Sequence, residues 1–318
     1  MTEKSTEIFT LGHSPDPDDT FMFYAIAKEK INLRGYRFEH RLEDIQTLNE
    51  RAQRGELHIS AISIHAYAYV ADKYALLSCG ASMGDGYGPL VVRKRRDAEA
   101  ANRSVGCAAP GASPSRNRRA EDCPPYPARP NDDQICQILS RCTIAVPGKM
   151  TSAFLALQLF LGEFDFMVVP FDKIFDAVES GRADAGLIIH EGQLTYARSG
   201  FQKMVDLGEW WKRKTGLPLP LGGNVVRKDI PPPAQRDVSE IIRESIDYGL
   251  THREEAVTYS LAYARDMNSQ LASKFIGMYV NEFTRDYGEI GRAAIQRLLA
   301  DAHDKGYIDV PIDVEFVG

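Results

Sequence analysis

The 318-residue sequence has no apolar run approaching the roughly 18 to 20 residues that a membrane-spanning helix needs. Met1 to Glu7 is polar, and no hydrophobic segment follows that could serve as a signal peptide, so the expected location is the cytoplasm, with no membrane partner. Cysteine is scarce: Cys79, Cys107, Cys123, Cys136 and Cys142 are odd in number and hold no Cys-x-x-Cys pair. Free thiols are therefore expected rather than a disulfide framework. Positive charge is in deficit, with 38 Lys plus Arg against 44 Asp plus Glu and a net charge of −6, which argues against nucleic acid as a partner. No Gly-x-Ser-x-Gly elbow is present, so a Ser-His-Asp hydrolase has no support.

What is there is a composition of 44% hydrophobic and 26% charged residues, on a chain long enough for two domains. Ile8 to Leu11 reads as a strand, followed by the turn-rich Gly12 to Asp19 and a helix marked by Phe21, Met22, Tyr24, Ala25 and Ala27. A second helix is expected over Asp44 to Arg54, stopped by Gly55, with a strand over Leu57 to Ser63. The same phrase recurs at Asp176 to Ile189, where Gly181 is the stop, and Ile144 to Phe160 repeats the strand-loop-helix opening. Two lobes built alike follow from these repeats, with crossings near Gly84 to Pro89 and Pro218 to Val226 and a hinged cleft between them. The expected division is 1–91 and 226–318 in a large lobe and 92–225 in a small one. Beyond Pro231 to Pro233 the pattern is helical, over Val238 to Leu250, Arg253 to Asp266, Phe275 to Tyr287 (ended by Gly288) and Gly291 to His303, with little chemistry expected.

One segment departs from this pattern. The 95–138 stretch carries six of the 17 prolines and almost no apolar periodicity, which predicts a disordered surface insertion. Cys107, Cys123 and Cys136 within it have poor spacing for a zinc site.

In an open parallel sheet the ligand crevice lies beyond the carboxyl ends of the strands, where loops enter helix N-termini. That rule selects His13, Ser14, Asp16, Asp18, Ser63 and His65 from one lobe, and Thr151, Ser152, His190 and Glu191 from the other. Thr151 and Ser152 open a helix whose free N–H groups suit a carboxylate, and plain N-capping is an equal reading residue by residue. Asp16, Asp18 and Asp19 read as a helix-capping cluster, and no metal is expected. His40, His58, His252 and His303 read as surface or helical residues. Trp210 and Trp211 read as packing residues, with stacking on a flat ligand kept open.

Six phrases then stand in a familiar order: Ser14-Pro-Asp-Pro-Asp-Asp-Thr-Phe-Met-Phe-Tyr24, Glu43-Asp-Ile-Gln-Thr-Leu-Asn49, Ser63-Ile-His-Ala-Tyr-Ala-Tyr69, Ala145-Val-Pro-Gly-Lys-Met-Thr-Ser-Ala153, His190-Glu-Gly-Gln-Leu-Thr-Tyr196 and Asp206-Leu-Gly-Glu-Trp-Trp211. Through them the chain resembles the periplasmic-binding-protein-like enzymes of the futalosine route to menaquinone, the 1,4-dihydroxy-6-naphthoate synthase family. The 16–18 loop departs from it, since that family often has Cys-Pro-Asn there.

The resemblance implies an α/β, two-lobed periplasmic-binding-protein-like (type II) fold. It also implies a lyase that converts cyclic dehypoxanthinylfutalosine to 1,4-dihydroxy-6-naphthoate with release of dihydroxyacetone, without a cofactor. His190 becomes the candidate general base, since an imidazole is partly neutral at physiological pH. The substrate is a small carboxylate, held by Ser63, Ser60, Thr151, Ser152, Ser14 and Asp18, and a homodimer fits the same resemblance. Three alternatives stay open: a non-catalytic solute-binding protein, the related chorismate dehydratase, and a catalytically degraded homologue.

Overall fold

The computed structural model describes residues 7–95, 130–263 and 267–318. The chain opens with β1 (Ile8–His13), α1 (Pro17–Met22), α2 (Tyr24–Ala27), β2 (Arg37–Leu42), α3 (Ile45–Gln53), β3 (Ile59–Ser63) and the one-turn α4 (Ile64–Tyr67). β4 (Tyr74–Leu77) and β5 (Ser82–Gly84) complete this part. The middle of the chain forms β6 (Leu90–Lys94), α5 (Asp132–Leu139), β7 (Ile144–Val146), α6 (Ser152–Leu161), β8 (Phe166–Val168) and α7 (Ile174–Glu179). β9 (Ala185–Ile188), α8 (Gly192–Thr195), β10 (Phe201–Asp206) and α9 (Leu207–Thr215) follow. The return runs through β11 (Leu219–Arg227), α10 (Pro232–Thr251), α11 (Arg253–Leu261), α12 (Ser269–Tyr279), α13 (Glu282–Arg285), α14 (Gly288–Asp304) and β12 (Phe316–Val317).

Two sheets result. The larger has the order β12-β4-β11-β3-β1-β2, with β5 also on β11, and the smaller β10-β6-β9-β7-β8. β1 is parallel to both β2 and β3, and β3 is antiparallel to β11. All five residues of β3 are buried, as expected for a central strand covered on both faces. The recurring helix-Gly-strand phrase has a physical basis: Gly55 (φ +68°) and Gly181 (φ +76°) both take the left-handed turn that ends α3 and α7. Asp44 caps α3 by accepting from Gln46 N–H and Thr47 N–H.

Sheet membership moves the lobe boundaries. β6 starts at Leu90 in the smaller sheet, and β11 belongs entirely to the larger one, so the crossings fall between Gly84 and Leu90 and between Thr215 and Leu219. These replace the expected 91/92 and 225/226. Most of the predicted insertion lies outside the described residues, but its last part does not fit the expectation of disorder. Asp132–Leu139 is a helix with Ile135 and Leu139 buried, started by a capping box between Asn131 and Gln134. The helix expected over Phe275 to Tyr287 ends at Tyr279 instead, because Asn281 caps a new short helix, and Gly288 opens α14.

One apolar core runs beneath both lobes, joining Phe154, Leu155 and Leu157 of α6 and Trp211 of α9 to Ile62, Leu76 and Tyr287. Trp211 is fully buried and its Nε1–H donates to Pro218 O at 3.1 Å, so its polar edge is satisfied inside that core. Trp210 packs on Phe160, and neither indole is part of the interlobe cavity wall. That shared core fixes how the loops of the two lobes face each other.

Candidate active site

The facing loops form a cleft between the two lobes, the position in which an open α/β sheet holds its ligand. Its walls are formed where the crevice rule points: the loop after β1 (Ser14, Asp16, Asp18, Asp19), the end of β3 (Ser63), the start of α6 (Thr151, Ser152) and Ile189 after β9. β11 contributes Gly222 and Asn224, and α12 contributes Phe275 and Tyr279.

Ser63 is braced from α3. Asn49, fully buried, accepts from Ser63 N–H at 2.8 Å and donates to Ser63 Oγ at 3.1 Å, and among the described residues no acceptor takes the serine O–H, which can meet a ligand. Ser60 is not brought to the site. Its hydroxyl donates to Ala61 O at 2.9 Å, and it pairs across the sheet with the core residue Val225, away from the cavity wall. Ser60 as a substrate-binding residue is thus corrected: the period-two alternation that exposes Ser63 turns Ser60 away.

Thr151 and Ser152 do reach the cavity, but their hydroxyls have protein partners. Thr151 Oγ1 accepts from Phe154 N–H and donates to Gly148 O, which makes it the N-cap of α6. Ser152 Oγ donates to Leu221 O at 2.6 Å and accepts from His65 N–H at 3.1 Å, bridging the lobes. The available anion donors here are backbone N–H groups of the first turn of α6, whose first two residues, Ser152 and Ala153, line the cavity.

The Ser14–Asp19 loop is the acidic wall. Ser14 N–H donates to Asp19 Oδ2 at 2.8 Å, and Asp16 N–H donates to Ser14 Oγ. Burial, reinforced by the Asp19 and Asp16 charges, holds the Asp18 carboxyl well above the usual range, and burial lifts Asp19 to about 7 against the opposing Ser14 hydrogen bond. Behind this loop His13 and His40 form a neutral pair, Nε2 to Nδ1 at 3.0 Å. Burial lowers His13 to about 3, helped by His40, and lowers His40 to about 4. His13 Nδ1 carries the proton for Ser14 O at 2.9 Å, so the pair buttresses the loop from below. His40 and His58, expected at the surface or on helices, are half-buried strand neighbours: His58 Nδ1 accepts from Thr10 N–H.

His190 follows Ile189 directly and is buried, its ring set between Phe171 and Phe175 at centroid distances of 5.8 and 6.0 Å. Ile189, and not the imidazole, forms the cavity wall at this point. Gly192 N–H donates to His190 Nδ1 at 3.0 Å, which places the proton of the neutral ring on Nε2. Nε2 is buried and has no hydrogen-bond partner among the described residues. In this arrangement Nε2–H is a donor; a base at Nε2 requires the other tautomer and release of Gly192.

The His190 loop is held from the far lobe. Gln193 N–H donates to His190 O and its amide to Ile188 O, while Tyr279 of α12 donates to Gln193 Oε1 at 2.6 Å. Tyr279, Phe275 and Asn224 are the site residues that sequence reasoning missed. The helical region after residue 231 was expected to hold little chemistry, and only the spatial return of β11 and α12 brings these side chains to the cavity. Among the described residues no group of three or more His, Cys, Asp or Glu side chains is arranged to hold a metal ion, and no helix is long and apolar enough to cross a membrane.

Comparison with known proteins agrees with this architecture. The alkanesulfonate-binding protein of Xanthomonas axonopodis pv. citri shares the fold at a TM-score of 0.63, 9% identity and 97% coverage of both chains. The fold is thus periplasmic-binding-protein-like. A crystal structure of a protein from Archaeoglobus fulgidus superposes at a TM-score of 0.79 with 38% identity, over 95% of this chain and 98% of that one. The 1,4-dihydroxy-6-naphthoate synthase of Thermus thermophilus is 36% identical over 300 residues, 94% of this chain and 96% of that protein. The protein of the same name from Streptomyces coelicolor is 33% identical over 310 residues, 96% of each. The menaquinone biosynthesis family model matches residues 9–115 and 131–304. With all six phrases inside these matched spans, the chain belongs to the menaquinone biosynthesis family.

Proposed function

We propose that the protein is a carbon-carbon lyase that converts cyclic dehypoxanthinylfutalosine to 1,4-dihydroxy-6-naphthoate and dihydroxyacetone. The observation that supports it most is the near-full-length likeness to two synthases of that product. The cavity is consistent in chemistry, offering backbone N–H groups at α6 for a carboxylate and the Ser63 hydroxyl for an oxygen of the same ligand.

Breaking a carbon-carbon bond beside a carbonyl places negative charge on the carbonyl oxygen while a proton is removed and returned, and the newly aromatic ring supplies driving force. His190 is the proposed proton-handling residue. With Nδ1 accepting from Gly192, Nε2–H is the proton this ring has to offer, and reaching that oxygen requires the loop behind Ile189 to shift when the ligand binds. Asp19, lifted to about 7, lines the cavity as a group able to take up a proton near neutral pH. Substrate binding as a small carboxylate by Ser14, Asp18, Ser63 and the α6 start is part of the same proposal, as is assembly into a homodimer.

The deciding experiment incubates purified protein with cyclic dehypoxanthinylfutalosine and, separately, with chorismate, followed by product mass. Release of the naphthoate from the first alone is expected. Binding without turnover would favour a solute receptor, and loss of water from chorismate would favour the dehydratase.

A further inference from the structure

The larger sheet gives the cavity a polar group of its own. Asn224 on β11 stands directly opposite Ala61 of β3, and Gly222 opposite Ser63. Residues so paired share a face of the sheet, and all four line the cavity. The intervening Gly223 borders the cavity with its backbone, and a Cβ there would face Tyr287, Ile64 and Leu76.

Asn224 is 1% exposed. Its Nδ2 donates to Gly80 O at 3.0 Å. Turning the amide over would set Oδ1 against that carbonyl oxygen, so its orientation is fixed. Oδ1 is buried and has no hydrogen-bond partner among the described residues. The seat is shaped for this amide: Gly80 has φ +78°, and a Cβ there would lie 2.2 Å from Asn224 Nδ2. Gly80 N–H is itself tied to Thr284 O at 2.7 Å. A buried acceptor held rigidly and left without a donor is unfavourable in the free protein, and a ligand that supplies the donor removes that penalty.

The geometry points to Asn224 Oδ1 as the acceptor that recognises a hydroxyl group of the substrate. This deepens the function proposed above and rests on it. The ligand class it defines is a carboxylate that also carries a donating hydroxyl, the carboxylate at the α6 start and the hydroxyl at Asn224. A ketone or ether oxygen at that point could only repel Oδ1. Asn224 therefore acts on specificity, and its effect falls on discrimination between hydroxylated and non-hydroxylated ligands.

The test compares kcat/KM for cyclic dehypoxanthinylfutalosine with that for analogues in which one hydroxyl at a time is replaced by hydrogen or by methoxy. Wild-type protein and Asn224→Leu are run in parallel. At one hydroxyl position the wild type is expected to lose about 10- to 100-fold with either replacement. Asn224→Leu is expected to be slower on the parent compound and nearly indifferent to the change at that position. Unchanged discrimination in a folded Asn224→Leu overturns the assignment. Should that variant not fold, the wild-type series decides, because equal kcat/KM for every analogue overturns it equally. No turnover of the parent compound by the wild type overturns the substrate reading itself, and the hydroxyl assignment with it.

Discussion

Asp19→Asn offers a test of the acidic cavity wall that needs no substrate. In the folded chain the Asp19 carboxyl titrates at about 7, against an ordinary value of 3.8. Between those values the native state keeps a proton that the unfolded chain has released, so stability must fall as pH rises. The contribution is fully present below 3.8 and is lost as pH climbs through about 7. Three units correspond to an upper bound of about 4 kcal/mol, and solvent screening of this half-buried loop brings the expected effect to roughly 1 to 2 kcal/mol. Asparagine cannot ionise, yet its Oδ1 can still accept from Ser14 N–H, and its neutrality also relieves Asp18. Urea denaturation followed by Trp210 and Trp211 fluorescence at pH 5 and pH 8 measures this. The variant is expected to gain about 1 to 2 kcal/mol on the wild type between the two pH values. An identical difference at both would refute the claim that Asp19 is held protonated.

Other predictions follow from individual contacts. Ser152→Ala leaves His65 N–H and Leu221 O without their bridge and is expected to destabilise by about 1 to 3 kcal/mol, read as a lower urea midpoint. Tyr279→Phe removes the hydrogen bond to Gln193 and is expected to lower kcat several-fold with KM nearly unchanged, since it positions the His190 loop. Steady-state kinetics check this, and a pure KM effect would contradict it. Ser63→Ala is expected to raise KM, by about 10-fold, whereas Ser60→Ala is expected to leave the kinetics unchanged.

Much of the fold was legible because its signals are local. Gly55 and Gly181 announce helix ends through positive φ, Asp44 announces a helix start, and the apolar strands follow directly. Of the residues the crevice rule selects, Ser14, Asp16, Asp18, Ser63, Thr151 and Ser152 line the cavity, because loop position relative to a strand end is a local property too, while His13, His65, His190 and Glu191 stand outside its wall. Hydroxyl partners are not. Nothing within a few residues of Ser152 tells that its Oγ is tied to Leu221, or that Asn224 and Tyr279 return to the cavity from distant segments. The helix at Asp132–Leu139 was readable in principle, since Asn131 and Gln134 form a capping box and Ile135 and Leu139 are one turn apart. The proline-rich residues before it masked that signal. For His190 the sequence placed the ring at the end of β9, but the tautomer depends on the Gly192 N–H contact, which only the folded loop provides.

Turnover of cyclic dehypoxanthinylfutalosine by His190→Ala, with His190→Gln alongside, tests the proposed proton-handling role of His190 behind the Ile189 wall. His190→Ala is expected to fold normally and to lose activity by a factor on the order of 100 or more. His190→Gln, whose amide N–H can stand in for Nε2–H, should recover part of that loss. Near-normal turnover by His190→Ala would remove His190 from that role.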